Sequence, residues 1–284
     1  MPIQPRDFEV IRRLVESDSG ILLPTDKSYL VEMRLERLAR DEGRSLEEIL
    51  DGLHAGWAAM QSRVVDAMTT NETFFFRDVF PFQVLTHEVL PALIRARQDR
   101  RRLRIWSAAC STGQEPYSLV IAIRESCPEL LGWELEVLAT DLSQRALERA
   151  REGWYTAVEV HRGLTQKQVE QYFHPDGRGF RIEPSLRQAV EFRQMNLVQK
   201  LPPLEPFDIV FIRNVLIYFD IDTKRRVVSE VESVLRPDGA LFLGNGESLQ
   251  GFDTTIERRG LGKAGYFQRS GPTPPPGGRK TIPL

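Results

Sequence analysis

The stretch 105-IWSAACSTGQEPYS-118 decides the fold, because it passes from a short apolar segment through small residues into the start of a helix. A strand, a tight turn and a helix in this order are typical of nucleotide-binding α/β folds. A dinucleotide fingerprint requires three glycines, whereas this loop contains only Gly113. Small residues with one glycine let the backbone approach a ligand closely but do not form a deep phosphate cradle. The loop therefore favours a nucleoside ligand without phosphates.

The bulk composition is that of an ordinary soluble globular protein, with 41% hydrophobic and 27% charged residues among 284. Apolar runs such as 208-DIVFI-212 are too short to span a bilayer, and the start MPIQPRDFEV lacks a signal pattern. We therefore expect a cytoplasmic protein that does not insert into a membrane. The net charge of −2 argues against nucleic acid as a partner. Cys110 and Cys127 show no paired spacing, so we expect neither a disulfide scaffold nor a metal site.

From about residue 103 onward, short apolar segments alternate with helical stretches. This alternation predicts an α/β fold with a parallel sheet covered on both faces. Its ligand belongs beyond the carboxyl ends of the strands, near the switch point. The segment 236-RPDG-239 predicts a turn into the last strand. The candidate strands are 103–106, 135–140, 190–195, 208–213 and 240–244, and the candidate helices are 116–126, 143–152 and 222–235.

We expect the chain to divide into three regions. Residues 1–68 predict a helical domain, because apolar residues recur at helical spacing and 45-SLEEIL-50 opens with a capping box. Residues 69–269 form the α/β domain, within which about 154–189 is longer than one crossover helix needs. This insertion predicts a short helix and a small β-hairpin at 174-HPDGRGFRI-182. The Pro- and Gly-rich residues 270–284 predict a disordered tail.

Polar residues follow four successive strands at the predicted ligand edge: Glu115, Asp141, Asn196 and Asn214. A carboxylate at the end of the second strand suits a ribose diol, because it can accept hydrogen bonds from both hydroxyls. The alternative is that Glu115 is only an acid in a first helical turn and Asp141 only a helix cap. Adenosine without phosphates fits such a site, and S-adenosylmethionine is a ligand of that kind.

Six segments together resemble the chemotaxis receptor methyltransferase family, CheR, in consistent order over roughly residues 5–268. The resemblance implies a Rossmann-like class I methyltransferase domain with a small inserted β-subdomain, preceded by an all-helical N-terminal domain. It also implies methyl transfer from S-adenosylmethionine to chemoreceptor glutamates, which yields γ-methyl esters and S-adenosylhomocysteine. The segments are 69-TTNETFFFRD-78, 106-WSAACSTGQEPYS-118, 139-ATDLS-143, 195-MNL-197, 213-RNVLIYF-219 and 237-PDGALFLGNGES-248.

The resemblance also implies residue roles. Arg77 and Tyr218 would lie at the reacting centre, and Gly113 of the loop joins the cofactor site. Within 74-FFF-76, the rings either anchor the segment in a core or cover the adenosine. The implied cofactor residues are Asn71, Thr73, Arg77, Glu115, Asp141, Asn196, Leu197, Asn214 and Val215.

The implied chemistry requires positioning rather than proton abstraction. A glutamate has a reference pKa of about 4.3 and is already ionised near neutral pH, so a catalytic base has no proton to remove. A guanidinium at Arg77 and a phenol at Tyr218 can orient a carboxylate. The alternative is that Arg77 pairs with Asp78 or another acid and that Tyr218 packs under the sheet.

The family further implies that the helical domain docks on the acidic helical bundle of a chemoreceptor. The arginines Arg34, Arg37, Arg40 and Arg44 share one face of a predicted helix, although they could equally form a solvated face. In some family members the β-subdomain adds a receptor's C-terminal peptide to its edge, with Arg178 or Arg181 as candidates here. We expect a monomer.

Two other functions remain as alternatives. The first is a non-catalytic S-adenosylmethionine-binding adaptor on the same fold. The second is a nucleic-acid methyltransferase, for which the six arginines in 95-RARQDRRRLR-104 are the best argument. We interpret that cluster as a solvated approach to the sheet, because no NPPY-like motif for amino-group methylation is present.

Overall fold

In residues 3–260 and 265–269, which the computed structural model describes, ten strands form two sheets. The main sheet has seven strands and the smaller sheet has three. In chain order the strands are β1 (Arg102–Ala108), β2 (Glu134–Asp141), β3 (Trp154–Thr156), β4 (Phe173–Asp176), β5 (Gly179–Ile182), β6 (Val190–Gln194), β7 (Phe207–Ile212), β8 (Leu235–Leu243), β9 (Ile256–Arg259) and β10 (Tyr266–Arg269).

The main sheet has the strand order β6-β2-β1-β7-β8-β10-β9. Its first five strands pair in parallel, whereas β10 runs antiparallel to both β8 and β9. The direction of winding reverses between β1 and β7, so a ligand site is expected at the carboxyl ends of these strands. Buried apolar clusters fill both faces of the sheet. This arrangement confirms the predicted α/β domain with a sheet that is covered on both faces.

Twelve α-helices lie in the described ranges, and the first four form an N-terminal bundle with its own buried core. The capping box predicted at Ser45 and Glu48 is present at the start of the third helix. The helices are α1 (Pro5–Ser19), α2 (Ser28–Glu42), α3 (Leu46–His54), α4 (Ala58–Met68), α5 (Phe80–Val84), α6 (Leu90–Ala96), α7 (Gln114–Ser126), α8 (Gln144–Glu152), α9 (Ala157–His161), α10 (Gln166–Tyr172), α11 (Pro184–Gln188) and α12 (Ile221–Ser233).

The small sheet lies between β2 and β6 in the sequence, where an inserted β-subdomain was predicted. Strands β4 and β5 form the expected hairpin. The sequence did not indicate β3, which pairs with β5 through Tyr155 and Phe180 and makes β5 the central strand. Two helices, α9 and α10, precede the hairpin instead of one.

The basic cluster at 95–104 is not simply a solvated approach, because three of its six arginines are tied to acids or carbonyls. Arg97 donates to Asp208 and Asp238, while Arg102 and Arg104 both donate to Glu136. The other three, Arg95, Arg100 and Arg101, are exposed. The paired arginines fasten the amino end of the sheet and are not available to a phosphate backbone.

Three further local features differ from the sequence predictions. Residues 80–96 form α5, a π-helical turn (Leu85–Val89) and α6, although no helix was predicted there. Residues 236–239 lie inside β8 as an irregularity in its register with β7, so the predicted turn is wrong. The antiparallel strands β9 and β10 were not predicted.

The tail predicted over 270–284 lies outside the described residues. Of the helices in 3–260 and 265–269, none combines the length and the apolar character that crossing a bilayer requires.

Candidate active site

A cleft opens at the carboxyl ends of β1, β2, β6 and β7, where the topology predicts a ligand. It contains about 840 Å³ of empty space, part of which is open to solvent. The sequence predictions converge here, since ten of the eleven residues assigned to catalysis or cofactor binding border the cleft. They are Asn71, Thr73, Arg77, Glu115, Asp141, Asn196, Leu197, Asn214, Val215 and Tyr218.

Gly113 is the predicted residue that does not border the cleft. It stands at the start of α7 with φ +94°, a backbone conformation that glycine adopts readily. A Cβ built there would lie 2.9 Å from the Cβ of Ala150 and 3.1 Å from the hydroxyl of Tyr155. Gly113 thus lets the start of α7 pack closely against Ala150 and Tyr155, on the side of the loop that faces away from the cleft.

The loop before α7 is held open towards the cleft by hydrogen bonds. Ala109 and Ser111 both have positive φ, which costs energy in residues other than glycine. The Ser111 N–H donates to Oδ2 of Asp141 at 2.7 Å, and the Ser111 hydroxyl donates to the carbonyl of Asn71 at 2.9 Å. These contacts join the loop to the end of β2 and to the segment that follows the helical domain.

Asp141 is buried at the end of β2, with only 7% of its surface exposed. Its two carboxylate oxygens accept from the N–H groups of Ser111 and Ser143, at 2.7 and 2.9 Å. Each oxygen retains a lone pair, so the carboxylate can still accept from a diol. Burial raises the pKa of Asp141 above its ordinary value, and the two backbone hydrogen bonds oppose that shift.

Glu115 belongs to a buried ionic network that the sequence did not indicate. One of its oxygens accepts from the hydroxyl of Ser107 at 2.8 Å, and the other accepts from Arg213 at 2.9 Å. Arg213 also donates to Oδ2 of Asp78 at 2.6 Å and to the carbonyl of Arg77 at 2.9 Å. With 1% of its side chain exposed, Arg213 connects α7 to the turn that carries Arg77.

Arg77 reaches the cleft with its guanidinium free of a carboxylate partner among the described residues. Its Nη1 donates to the carbonyl of Glu72 at 2.9 Å, and its guanidinium carbon lies 5.7 Å from the centre of the Phe74 ring. Asp78, the acid that the alternative assigned to Arg77, pairs with Arg213 instead. The guanidinium can therefore receive a carboxylate from outside the chain.

Tyr218 borders the cleft from the segment that leaves β7. It is half-buried, and its carbonyl accepts from the N–H of Leu22 at 3.1 Å, a contact with the helical domain. The tyrosine therefore lies at the cleft rather than under the sheet. Asn214 in the same segment has φ +58°.

None of the aromatic residues 74–76 borders the cleft. Phe75 is fully buried, and its ring lies 5.1 Å from that of Tyr155 and 5.4 Å from that of Phe173. Phe76 packs against Phe82. These contacts favour the core-anchoring interpretation over stacking on a base.

The four arginines do not have equivalent surroundings, and they do not share one helix. Arg34, Arg37 and Arg40 lie on α2, whereas Arg44 lies beyond its last residue, so the predicted stripe on one helix face is wrong for Arg44. Arg34 is half-buried and donates to the carbonyl of Met68 and to the hydroxyl of Thr70, so it is tied to the segment that enters the cleft. Arg37, Arg40 and Arg44 are exposed, with acids near the first and last of them. The docking role remains a prediction for these three, whereas Arg34 has a structural task of its own.

Sequence reasoning missed several residues that border the cleft. Arg213 carried a visible signal, because a charged residue directly follows an apolar strand. Ser111 lies in the loop of small residues that precedes α7. Ser19 and Ile21 come from the end of α1, and no local pattern indicates that a helical domain completes a site on the sheet.

The charge of the cleft suits a cation. Three acids border it, Glu72, Glu115 and Asp141, against two arginines, Arg77 and Arg213. S-adenosylmethionine carries a sulfonium and an ammonium against one carboxylate, so its net positive charge meets a net negative lining. A pyrophosphate would meet the same carboxylates unfavourably. The residues present therefore fit S-adenosylmethionine and not a dinucleotide.

The strand order, the antiparallel edge pair and the acidic cleft define a Rossmann-like class I methyltransferase. The family model for the CheR methyltransferase S-adenosylmethionine-binding domain matches residues 71–263, and the model for the CheR methyltransferase all-alpha domain matches residues 6–69. The chain belongs to the CheR methyltransferase family, and its α/β domain binds S-adenosylmethionine.

Similar curated proteins agree with this assignment. Chemotaxis protein methyltransferase 1 of Pseudomonas aeruginosa is 45% identical over 248 residues, covering 86% of this chain and 90% of the relative. Chemotaxis protein methyltransferase Cher2 of Pseudomonas putida is 45% identical over 251 residues, with 86% and 91% coverage. Among solved structures, PKMT2 from Rickettsia typhi in complex with AdoHcy is 14% identical with a TM-score of 0.37, covering 61% of this chain and 26% of that one.

Proposed function

We propose that the protein transfers the methyl group of S-adenosylmethionine to glutamate side chains of chemoreceptors. The products are glutamate γ-methyl esters and S-adenosylhomocysteine. The proposal depends on the composition of the cleft. Its lining includes Arg77, whose guanidinium has no acid partner among the described residues, together with Tyr218 and two buried carboxylates. The curated relatives named chemotaxis protein methyltransferases support the same activity.

The cofactor is assigned to the acidic side of the cleft. Asp141 would accept from the ribose hydroxyls, and Glu115 would face the ammonium of the methionyl part. Asn71, Asn196 and Asn214 offer amide donors and acceptors around the remaining polar groups. S-adenosylmethionine supplies an electrophilic methyl group on a sulfonium, and this chain's residues have to orient the acceptor towards it.

Arg77 and Tyr218 are proposed to orient that acceptor. A guanidinium can hold a carboxylate with two N–H groups, and a phenol can donate to one oxygen. The incoming glutamate is already ionised at neutral pH, so neither residue has to remove a proton. Since the carboxylate loses its charge as it is methylated, very tight binding of the anion would slow the transfer. Alignment is therefore the main contribution of these two residues.

The proposal predicts base-labile methylation of a receptor. The protein is incubated with radiolabelled S-adenosylmethionine and a chemoreceptor cytoplasmic fragment, and alkali should then release the label as volatile methanol. A non-catalytic adaptor would bind the cofactor and leave the receptor unlabelled. Label that stays base-stable in RNA or DNA would instead identify a nucleic-acid methyltransferase.

Substitution of the two orienting residues tests their role. Tyr218→Phe and Arg77→Ala should each lower kcat by on the order of 10²-fold, because the acceptor loses its alignment. Affinity for S-adenosylhomocysteine should change much less for Tyr218→Phe. The exposed Arg95→Ala serves as the matched control and should retain normal turnover. Normal kcat in both cleft variants would contradict the assignment.

The receptor's helical bundle is the proposed partner, with the protein acting as a monomer in the cytoplasm. The exposed arginines of α2 supply a basic face for its acidic side chains. At the β-subdomain, Arg181 is engaged by Asp176 at 2.6 Å and by the carbonyl of Glu152, so it is already committed within the chain. We favour docking through the helical domain over a peptide tether.

A further inference from the structure

Glu247 lies in the tight turn that follows β8, outside the lining of the cleft. Its own N–H donates to the carbonyl of Gly244 at 3.0 Å and closes that turn. Its carboxylate accepts hydrogen bonds from four backbone N–H groups. Oε2 accepts from Gly244 at 2.7 Å and from Asn214 at 2.8 Å, and Oε1 accepts from Val215 at 2.9 Å and from Ile217 at 3.3 Å.

Three of those N–H groups belong to the segment that carries Asn214, Val215 and Tyr218 into the cleft. This segment leaves the sheet at the end of β7, so its backbone no longer has a strand partner. Asn214 adopts a positive φ there, a conformation that asparagine tolerates better than most residues other than glycine. The Glu247 carboxylate is the acceptor that takes up the N–H groups which this conformation turns away from the sheet.

A glycine in the turn allows it to lie close to the backbone of residues 214–217. A Cβ added to Gly244 would lie 2.7 Å from the backbone nitrogen of Asn214 and 2.7 Å from Oε2 of Glu247. Only glycine fits between the two, so the end of β8 lies directly against the segment. The stretch 244-GNGE-247 therefore brings a carboxylate to the backbone of the neighbouring strand end.

We propose that Glu247 is a positioning residue for methyl transfer, acting through the backbone of residues 214–218 on the cofactor contacts and on Tyr218. The inference rests on the proposed function for its effect on kcat. A glutamine could not replace the carboxylate, since its single carbonyl oxygen has fewer lone pairs and its amide would direct N–H groups at N–H groups.

Glu247→Gln tests the proposal against a matched control. Glu232→Gln changes a carboxylate that likewise accepts from a loop, through the Thr254 hydroxyl at 2.7 Å and the Thr255 N–H at 3.2 Å. Neither of these donors borders the cleft, whereas two of the residues that donate to Glu247 do. Glu247→Gln should lower kcat and the affinity for S-adenosylhomocysteine by about tenfold or more each, with an unchanged receptor KM. Glu232→Gln should leave all three unchanged.

Two readouts separate positioning from general loss of stability. Amide hydrogen exchange should accelerate at residues 214, 215 and 217 in Glu247→Gln and not in Glu232→Gln. Tyr218→Phe should lower kcat much less in the Glu247→Gln background than in the wild type, because the phenol is already displaced. Equal effects of Tyr218→Phe in both backgrounds, or kcat within about twofold of wild type in Glu247→Gln, would overturn the proposal.

The test remains decisive in two further cases, a variant that does not fold and a wild type that methylates no receptor. If Glu247→Gln does not fold, Glu247→Asp, which keeps the charge with a shorter reach, should show the same pattern to a smaller degree. If the wild type methylates no receptor, the proposed function fails. Calorimetric affinity for S-adenosylhomocysteine then still tests Glu247, since Asn214 and Val215 border the cleft. Unchanged affinity and unchanged exchange would reject the positioning role.

Discussion

At the scale of single residues, two effects act on the pKa of Asp141 in opposite directions. Burial raises its pKa, while the N–H groups of Ser111 and Ser143 favour the carboxylate. The net shift is upward, so the group takes up a proton at a higher pH than an exposed aspartate would. A protonated carboxyl accepts fewer hydrogen bonds and would bind a diol less well.

Cofactor affinity should therefore weaken on the acid side. We expect the dissociation constant for S-adenosylhomocysteine, measured by calorimetry between about pH 5 and pH 8, to rise as the pH falls towards the raised pKa of Asp141. Asp141→Asn should weaken binding at neutral pH by about 1.5–3 kcal/mol, the range for a hydrogen bond to a charged group, and should remove this pH dependence. A pH dependence that is identical in the variant would contradict the assignment.

The sign of the linkage distinguishes this effect from acid unfolding. A carboxyl whose pKa is higher in the folded than in the unfolded chain binds its proton more tightly when folded. Lowering the pH through that pKa therefore adds stability from this group. Loss of affinity without loss of structure, followed by circular dichroism, is the expected combination.

At the scale of elements, α2 carries two kinds of arginine that its helical periodicity could not separate. The spacing places Arg34, Arg37 and Arg40 on one side of the helix. Only the tertiary structure reveals that Arg34 reaches the carbonyl of Met68 and the hydroxyl of Thr70. A docking test that included Arg34 would also disturb the segment leading to Asn71.

Charge reversal of Arg37 and Arg40 together should raise the KM for receptor by on the order of tenfold at low salt, with less effect at high salt. The affinity for S-adenosylhomocysteine should stay unchanged. The control is Arg225→Glu with Arg226→Glu, which changes the net charge equally on the exposed side of α12. If both double variants raise KM alike, the effect is one of total charge, and docking through α2 is rejected.

The sequence was sufficient to predict those strands and helices whose residues are strongly and regularly buried. The five parallel strands are short apolar runs that periodicity detects, and small or polar residues at their ends indicated the cleft. β3 has three residues, and β9 and β10 have four residues each, of which only one is buried, so their patterns are too short to detect. The roles of Arg213 and Glu247 were missed, although Arg213 follows an apolar strand, because most of their partners are far away in sequence.

At the scale of the whole molecule, a buried ionic cluster fastens the amino end of the sheet. Arg97 donates through Nε to Asp208 at 2.9 Å and through Nη1 to Asp238 at 2.8 Å. Asp208 is almost fully buried and also accepts from the N–H of Arg104. The cluster lies at the opposite end of the strands from the cleft, so it contributes to stability and not to catalysis.

Arg97→Ala should destabilise the protein by about 3 kcal/mol, because it leaves a buried carboxylate without its main partner. Chemical denaturation measures this change, and the exposed Arg100→Ala should stay within about 0.5 kcal/mol of wild type. The hydrogen bond from Arg97 also lowers the pKa of Asp238 below its ordinary value. The stability that the Arg97–Asp238 pair contributes is present above about pH 3.8, and it is lost as the pH falls through the lowered pKa of Asp238. A wild-type stability for Arg97→Ala would contradict this account.

The end of α1 borders the same cleft as the strand ends, through Ser19 and Ile21, and Leu22 bonds to the backbone of Tyr218. The helical bundle thus contributes one wall of the cleft as well as the proposed recognition surface. Chimeras that exchange bundles between homologues to redirect receptor choice would also exchange part of that wall. Specificity and turnover are therefore expected to change together, unless the donor bundle is trimmed so that residues 19–22 stay with their native sheet.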